Sequence, residues 1–313
     1  MILRRIDSAD LARAGFTPRT PYGRSDFLRL NAGKVDEVVQ YGLYDSHDKL
    51  RLSVAAGCRV RSSGCCQVSA PFSAPFAEVL YNRPQSLETC VSFARLLAGE
   101  CSGGASSLTV RLAPECYDPV MLPRLRGAFA ACCDSQYDDY NYHYQLGSGF
   151  DFVGGLAANA RNHYNRACRA GFEFRAGVPL ERAYAVIERN RSEHGYPLAM
   201  SLSAMAAMTG IVAIDTFLLS YGDADVAAAI VYRISATVAQ VIYWGDVAGY
   251  SAMRPMNLLA AEVMGHYNAV GYAVVDIGPS SSAGVPDIGL CTFKESLGCR
   301  LSFKPTFCFG PRG

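Results

Sequence analysis

Thr216-Phe-Leu-Leu-Ser-Tyr221, Val226-Ala-Ala-Ala-Ile-Val-Tyr-Arg-Ile234 and Val238-Ala-Gln-Val-Ile-Tyr-Trp244 follow one another with short polar joints between them. Each run is rich in β-branched, aromatic and small apolar residues. Gly222-Asp223 and Ser235-Ala-Thr237 are turn-type connections, so the stretch reads as an antiparallel meander of three strands. The period then changes. Met256, Leu259, Val263, Tyr267 and Val270 recur at helical spacing, and Gly271 stands where a C-terminal cap belongs. Tyr272–Ile277 returns to a strand bounded by Gly278-Pro279. A meander followed by helix and strand sets a parallel pair beside an antiparallel set.

Outward from this centre the pattern continues on both sides. Gly171-Phe-Glu-Phe174 reads as a short strand, Leu180, Ala183, Tyr184 and Ile187 as one helix, and Ser203–Ile211 as a second. Downstream, Ile288–Leu297 is a short helix ended by Gly298, and Arg300–Phe309 is a last strand. The first half has a similar tail: strands Glu37–Tyr44 and Leu50–Ala56, helix Leu87–Leu97, strand Ser107–Leu112, helix Asp118–Ala131 and strand Tyr137–Leu146. The repeated order predicts a duplication. Two α+β domains, 1–147 and 148–313, are expected to meet near Gly147-Ser-Gly149. Each would be a mixed, mostly antiparallel sheet flanked by helices.

Composition fits that reading. The 313 residues are about two average domains, and at 50% hydrophobic they suffice for two buried cores, which excludes a disordered or collagen-like chain. A net charge of +1 argues against holding nucleic acid by bulk charge. The basic residues of Met1-Ile-Leu-Arg-Arg have no apolar run behind them, so no secretory signal is read there. The 12 cysteines include the vicinal pairs Cys65-Cys66 and Cys132-Cys133 but no C-x-x-C spacing. They read as reduced, mostly buried thiols of a cytoplasmic protein, without a structural zinc. Tyr196–Ile214 carries no charge, yet its alanines and serines suit a buried helix of a soluble protein better than a membrane span.

Asp276-Ile-Gly-Pro-Ser-Ser-Ser282, followed by Gly289-Leu-Cys-Thr-Phe-Lys294 and Leu297-Gly298, resembles the end of FemAB-like proteins, a branch of the GCN5-related N-acetyltransferase (GNAT) superfamily. Arg161-Asn162 with Asn165-Arg166-Ala167 and Gly171 is similar to the basic segment that opens that family's second domain. The resemblance covers roughly 150–309 and, through the repeated order, loosely 25–146. It implies two tandem GNAT-like domains, the first degenerate and the second carrying the chemistry. It also implies an acyltransferase that moves an acyl or aminoacyl group onto an amine of a small, envelope-related acceptor. The two donors it offers are acyl-CoA and, second to it, aminoacyl-tRNA. The superfamily's pyrophosphate loop, Gln/Arg-x-x-Gly-x-Gly/Ala, has no counterpart in Val247-Ala-Gly-Tyr-Ser-Ala-Met-Arg-Pro255, and no long charged helical hairpin is present.

Acyl transfer needs an anchor for the donor's phosphates, donors for the developing oxyanion, a base and an acid. The helix opening at Met256-Asn257 supplies free N–H groups and a positive dipole end, and Arg254 before it a charge-assisted donor; these read as donor-binding, with Trp244 at the end of the preceding strand. Tyr243 is a candidate acid for the leaving group, or one of an aromatic pair packing the sheet. Asp276, at the end of a parallel-type strand, is a candidate base or acceptor-binding group, or a carboxylate capping the Ser280-Ser-Ser282 turn. By the resemblance, Lys294 faces the cleft and stabilises charge; the plain alternative is an exposed helix lysine. Arg161 and Asn162 belong to a basic helix face with Asn165, Arg166 and Arg169, suited to a substrate anion or simply solvated. Asn141 and His143 alternate on one strand and are expected to share a side, toward a cleft between the halves. No histidine pattern supports a metal site. The rival to an acyltransferase is a catalytically silent ligand-binding or assembly protein on the same fold, because function belongs to the site.

Overall fold

The computed structural model describes residues 1–62, 64–101 and 106–310. In chain order the first elements are β1 (Ile2–Ile6), α1 (Ser8–Arg13), α2 (Ser25–Asn31), β2 (Glu37–Tyr44), β3 (Leu50–Val60), β4 (Cys66–Ala70), β5 (Val79–Leu80), α3 (Leu87–Cys101), β6 (Ser107–Arg111), α4 (Met121–Ala130) and β7 (Ser135–Gln145). Then come α5 (Phe152–Gly155), α6 (Ala158–Cys168), β8 (Glu173–Ala176), α7 (Leu180–His194), α8 (Leu202–Met208), β9 (Ile214–Tyr221), β10 (Ala224–Arg233), β11 (Val238–Asp246), α9 (Pro255–Ala269) and β12 (Val274–Pro279). The two-residue strands β13 (Ser281–Ser282) and β14 (Val285–Pro286), helix α10 (Ile288–Ser296) and β15 (Arg300–Phe309) complete the chain.

Contacts divide the chain into two units. One comprises 1–139, 282–285 and 302–313, the other 140–281 and 286–301. In the first, β1, β2, β3 and β4 pair antiparallel in sequence order, β4 pairs β6 in parallel, and β6 pairs β15 antiparallel. In the second, β8, β9, β10 and β11 are antiparallel, β11 and β12 are parallel, and β12 pairs antiparallel with residues 141–145 of β7. Both units are thus a meander, a helical crossover to a parallel strand, and a final antiparallel strand. The final strand of each is the one that follows the other unit's last helix in sequence: β7 follows α4, and β15 follows α10. A linear cut at 147 has no way to express that exchange.

The meander read from 216–244 and the helix after it are present as predicted. α9 buries Leu258, Leu259, Ala260, Val263, Met264 and Tyr267 against the sheet, and Gly271 takes φ +84° just past its end, where a Cβ would be strained. The segment 196–214 holds a helix of only seven residues before β9 begins. No helix among the described residues is long and apolar enough to cross a membrane. One expectation is overturned: Cys58 and Cys66 form a disulfide. The β3–β4 register sets Cys58 opposite Val68 and Val60 opposite Cys66, which leaves the two cysteine Cα atoms 6.2 Å apart, within bridging range.

Gly245 on β11 is a point of close approach between α7 and the sheet. A Cβ there would stand 2.5 Å from Asn190 Cγ, while Asn190 Nδ2 donates to the Asp246 carbonyl at 2.7 Å. Gly245→Ala is expected to cost about 1–3 kcal/mol by overpacking, read as a lowered urea midpoint at unchanged m-value.

Candidate active site

In the second unit the parallel strands β11 and β12 hold register for only three pairs, Val238–Val274, Ala239–Val275 and Gln240–Asp276. Both strands are irregular just beyond that level. The β10–β11 register slips so that Ile242 has no opposite number, and the β7–β12 register shifts between Asp276 and Pro279. Bulges bend strands, and here two of them part β11 from β12 like a fork. Backbone groups past the fork lose their ladder partners and need others.

Lys294 supplies them on the β12 side. Its Nζ donates to the carbonyls of Ile277 at 3.1 Å, Gly278 at 2.7 Å and Pro279 at 3.2 Å, which occupies all three ammonium donors. Lys294 is 2% exposed. Burial pulls its pKa down to about 8, opposed by the nearby Asp276 charge. The expected charge-stabilising lysine is therefore neither an exposed helix lysine nor a side chain open to solvent; it holds the released end of β12.

Asp276 is 1% exposed and also tied down. Its Oδ1 accepts from Asn141 Nδ2 at 2.8 Å and from the Gly278 N–H at 2.9 Å, and its Oδ2 accepts from Gln240 Nε2 at 3.0 Å. His143 stands directly opposite Asp276 across the β7–β12 pair, on the same face. Burial lowers the His143 pKa, and the Asp276 charge works against that shift. The structure thus brings Asp276, Asn141 and His143 together, and adds Gln240. A polar residue inside the apolar run Val238-Ala-Gln-Val was the available signal for Gln240, but its meaning depends on register. One cross-strand row runs Tyr232, Gln240, Asp276, His143. It is a polar stripe at the level where the fork opens.

Tyr243 lies on β11 just past the fork. Its hydroxyl accepts from the Met200 N–H at 3.1 Å, and the Tyr184 hydroxyl donates to the Met200 carbonyl at 3.0 Å. Trp244, next along, packs partly buried against the core on the α9 side, as does Met256. Asn257 is buried in the first turn of α9.

Arg254 is the N-cap of α9 and sits at φ +64°, a left-handed conformation unusual for arginine; Pro255 follows at the first helical position. α6 packs beside this end. It turns Ala160 and Ala167 inward and leaves Arg161, Asn162, Asn165, Arg166 and Arg169 exposed. Asn162, Asn165, Arg166, Arg169, Ala170 and Met253 line an open cavity of about 450 Å³ with no carboxylate in its wall. His163 feels both Arg254 and Arg166, which join burial in lowering its pKa. Among the described residues, none of the ion pairs uses Arg161, Arg166, Arg169 or Arg254. Arg161 lies outside the cavity wall and donates weakly to the Leu156 carbonyl at 3.4 Å. Met253 was not singled out by sequence; only its place before Arg254 in the folded chain puts it there. No group of His, Cys, Asp and Glu among the described residues is arranged to hold a metal ion.

No family model and no curated protein matches the chain. Solved structures do. FemX aligns at 10% identity over 99% of this chain and 98% of its own, with a TM-score of 0.64. L-PGS from Bacillus licheniformis aligns at 12% identity over 100% and 95%, with a TM-score of 0.58. A tandem GNAT protein from the clavulanic acid biosynthesis pathway aligns at 12% over 100% and 99%, with a TM-score of 0.52. Likeness at such low identity concerns the backbone, and both units repeat the same meander and crossover to a parallel strand. The chain shares the fold of FemX and of the tandem GNAT protein.

Proposed function

We propose that the chain is an acyltransferase that moves an acyl or aminoacyl group from a phosphate-bearing donor to an amine of a small acceptor. The observation that carries this reading is the fork between β11 and β12 in a unit that also holds a cavity whose charged lining residues, Arg166 and Arg169, make no ion pair among the described residues. Among the described residues Arg166, Arg169 and Arg254 make no ion pair with a carboxylate, so an anionic ligand is their natural counter-charge. The α9 N-terminus adds its dipole to the same end. A donor anchored there can pass its reactive arm into the fork, where β11 has shed its ladder partner.

In the transfer, the neutral amine nitrogen attacks the donor carbonyl carbon. The bond from that carbon to the leaving sulfur or oxygen breaks, and the proton shed by the nitrogen ends on the leaving group. His143, its pKa lowered by burial, is neutral at pH 7 and able to accept a proton, with Asp276 opposite to favour the cation it would become. The Tyr243 hydroxyl lies on the other arm of the fork as the acid for the leaving group. Both donor types, acyl-CoA and aminoacyl-tRNA, carry the phosphates that the cavity would hold, and an envelope-related amine is the acceptor class this reading retains.

One observation favours the rival of a silent binding protein. The carboxylate of Asp276 and the ammonium of Lys294 are both saturated by protein hydrogen bonds. The test is donor binding and turnover by the full chain. Arg166→Glu with Arg169→Glu is expected to weaken binding of acyl-CoA or aminoacyl-tRNA at least about 100-fold, because each reversal exchanges an attraction for a repulsion of order 1–3 kcal/mol. If the wild-type chain binds neither donor, or binds one without releasing thiol or deacylated tRNA when amines are supplied, the acyltransferase reading fails.

A further inference from the structure

The face of the second unit that α7 covers holds two buried polar atoms that find no protein partner among the described residues. They are the Tyr232 hydroxyl and Arg191 Nε. Tyr232 is 2% exposed, so water does not solvate it freely. Buried groups of this kind are nearly always paired, and an unpaired one costs about 1–3 kcal/mol. Two of them at one place call for an occupant.

They are at one place. Tyr232 begins the polar row that leads through Gln240 to Asp276 and His143. Tyr243 is its diagonal neighbour on β11; burial first, and then the nearby Tyr243, raise the proton affinity of the Tyr232 oxygen. The Arg191 guanidinium lies 5.6 Å from the Tyr243 ring centroid and 5.8 Å from that of Tyr196. No ion pair or hydrogen bond among the described residues engages the Arg191 side chain. It is a planar, permanently charged fork with its donors uncommitted, beside the rings of Tyr243 and Tyr196.

Residues 195–200 cover this corner. Gly195 turns at φ +65°, Tyr196, Pro197 and Ala199 are exposed, and the segment is pinned at Met200 by its two bonds to Tyr243 and Tyr184. A strap with so few buried contacts opens at low cost. Opening frees the Tyr243 hydroxyl and lifts Tyr196 from the Arg191 guanidinium.

We propose that Arg191 and Tyr232 bind a small oxyanion, a carboxylate or a phosphate monoester, carried by the amine acceptor, beside Tyr243 and beneath the hinged strap 195–200. Placing the acceptor role here rests on the acyl-transfer reading; the anion site itself does not. An acceptor held by its anionic group at the Tyr232 end of the row would reach along it toward Gln240, Asp276 and His143. That end-on binding would select amines with an oxyanion over amines without one.

The test is a thermal-shift titration of the full chain with matched probes: L-alanine against alaninamide, glycine against glycinamide, and phosphoethanolamine against ethanolamine. An oxyanion probe at about 100 times its Kd adds roughly 2.7 kcal/mol of stability, a rise of several degrees. Its neutral counterpart is expected to give none. Alanine and glycine against phosphoethanolamine decides between carboxylate and phosphate. Tyr232→Phe is expected to leave the unliganded melting temperature equal or higher, since an orphaned hydroxyl is gone, yet to weaken the probe at least about 5-fold. Arg191→Met is expected to abolish the shift, and Arg191→Lys, which keeps charge but not the planar fork, to restore only part of it. Equal shifts from charged and neutral probes, no shift from any oxyanion, or an unchanged affinity in Tyr232→Phe would overturn the proposal. Donor binding is measured separately on the same protein. Oxyanion binding without donor binding sinks acyl transfer and spares the site, and the converse sinks the site alone.

Discussion

Lys294→Met is expected to lower the melting temperature by about 10 °C, one of the two strongest effects we foresee. The substitution keeps the length and most of the volume of the side chain but removes the donors that the Ile277, Gly278 and Pro279 carbonyls share. An acceptor left buried and unpaired costs about 1–3 kcal/mol. Partial rescue by water at the half-buried Gly278 leaves a net loss of about 4 kcal/mol, and each kcal/mol is worth roughly 2–4 °C in a protein of this size. A pH scan separates the charge from the geometry. The folded Lys294 has its pKa lowered from 10.5 to about 8. Between those values the unfolded chain binds more protons than the folded one, so this lysine makes stability rise with pH across the window, and its penalty is full below pH 8. The stability of the wild type relative to Lys294→Met should therefore increase from pH 8 to 10.5. A flat difference across that range, or a melting temperature within 2 °C of wild type, would show that Lys294 does not hold the fork.

Asp276→Ala is expected to cost about 3–5 kcal/mol, because it strands the Asn141 and Gln240 amides and the Gly278 N–H around a buried gap. Asp276→Asn should cost less, about 1–2 kcal/mol. The Gln240 amide can turn its oxygen toward the new NH₂ group, whereas the Gly278 N–H keeps the remaining oxygen. The same substitution gives a second readout. Asp276 is the charge that raises the His143 pKa against its burial, so Asp276→Asn should move the His143 titration further down. That shift is measurable by NMR of the imidazole, and an unmoved or rising pKa would separate His143 from Asp276. Read with the Gly245 and Arg166/Arg169 variants, these two substitutions distinguish damage to the fork from damage to ligand binding.

Several elements were legible in the sequence because they rest on local periodicity. The meander 216–244, the stripe Met256–Val270 and the glycines at 271 and 298 each report their own neighbours along the chain. The element order of the second half, from the strand near Phe174 to the strand ending at Phe309, follows from those local patterns. α6 could be inferred only as a basic face, since Ala160 and Ala167 are too weak an apolar stripe to announce a helix. β1, α1, α2 and β4 in the first half were not read. Their runs are short and half exposed, and β4 is recognisable mainly through its pairing with β3 and β6.

By itself the sequence determined the fold class, the tandem repeat and the candidate residues Asp276, Asn141, His143 and Arg254, because side-chain type and spacing carry that information within a dozen residues. Which candidates meet was decided only by tertiary structure. Strand register, a contact between residues more than 130 apart for Asn141 and Asp276, set the polar row and drew in Gln240. The bulge at Ile242 opened the fork. The same register exchanged the final strands of the two units, which no local signal marks. It also turned Lys294 inward onto three carbonyls: a lysine's identity states its charge, but only the fold states which oxygens are left for it to satisfy.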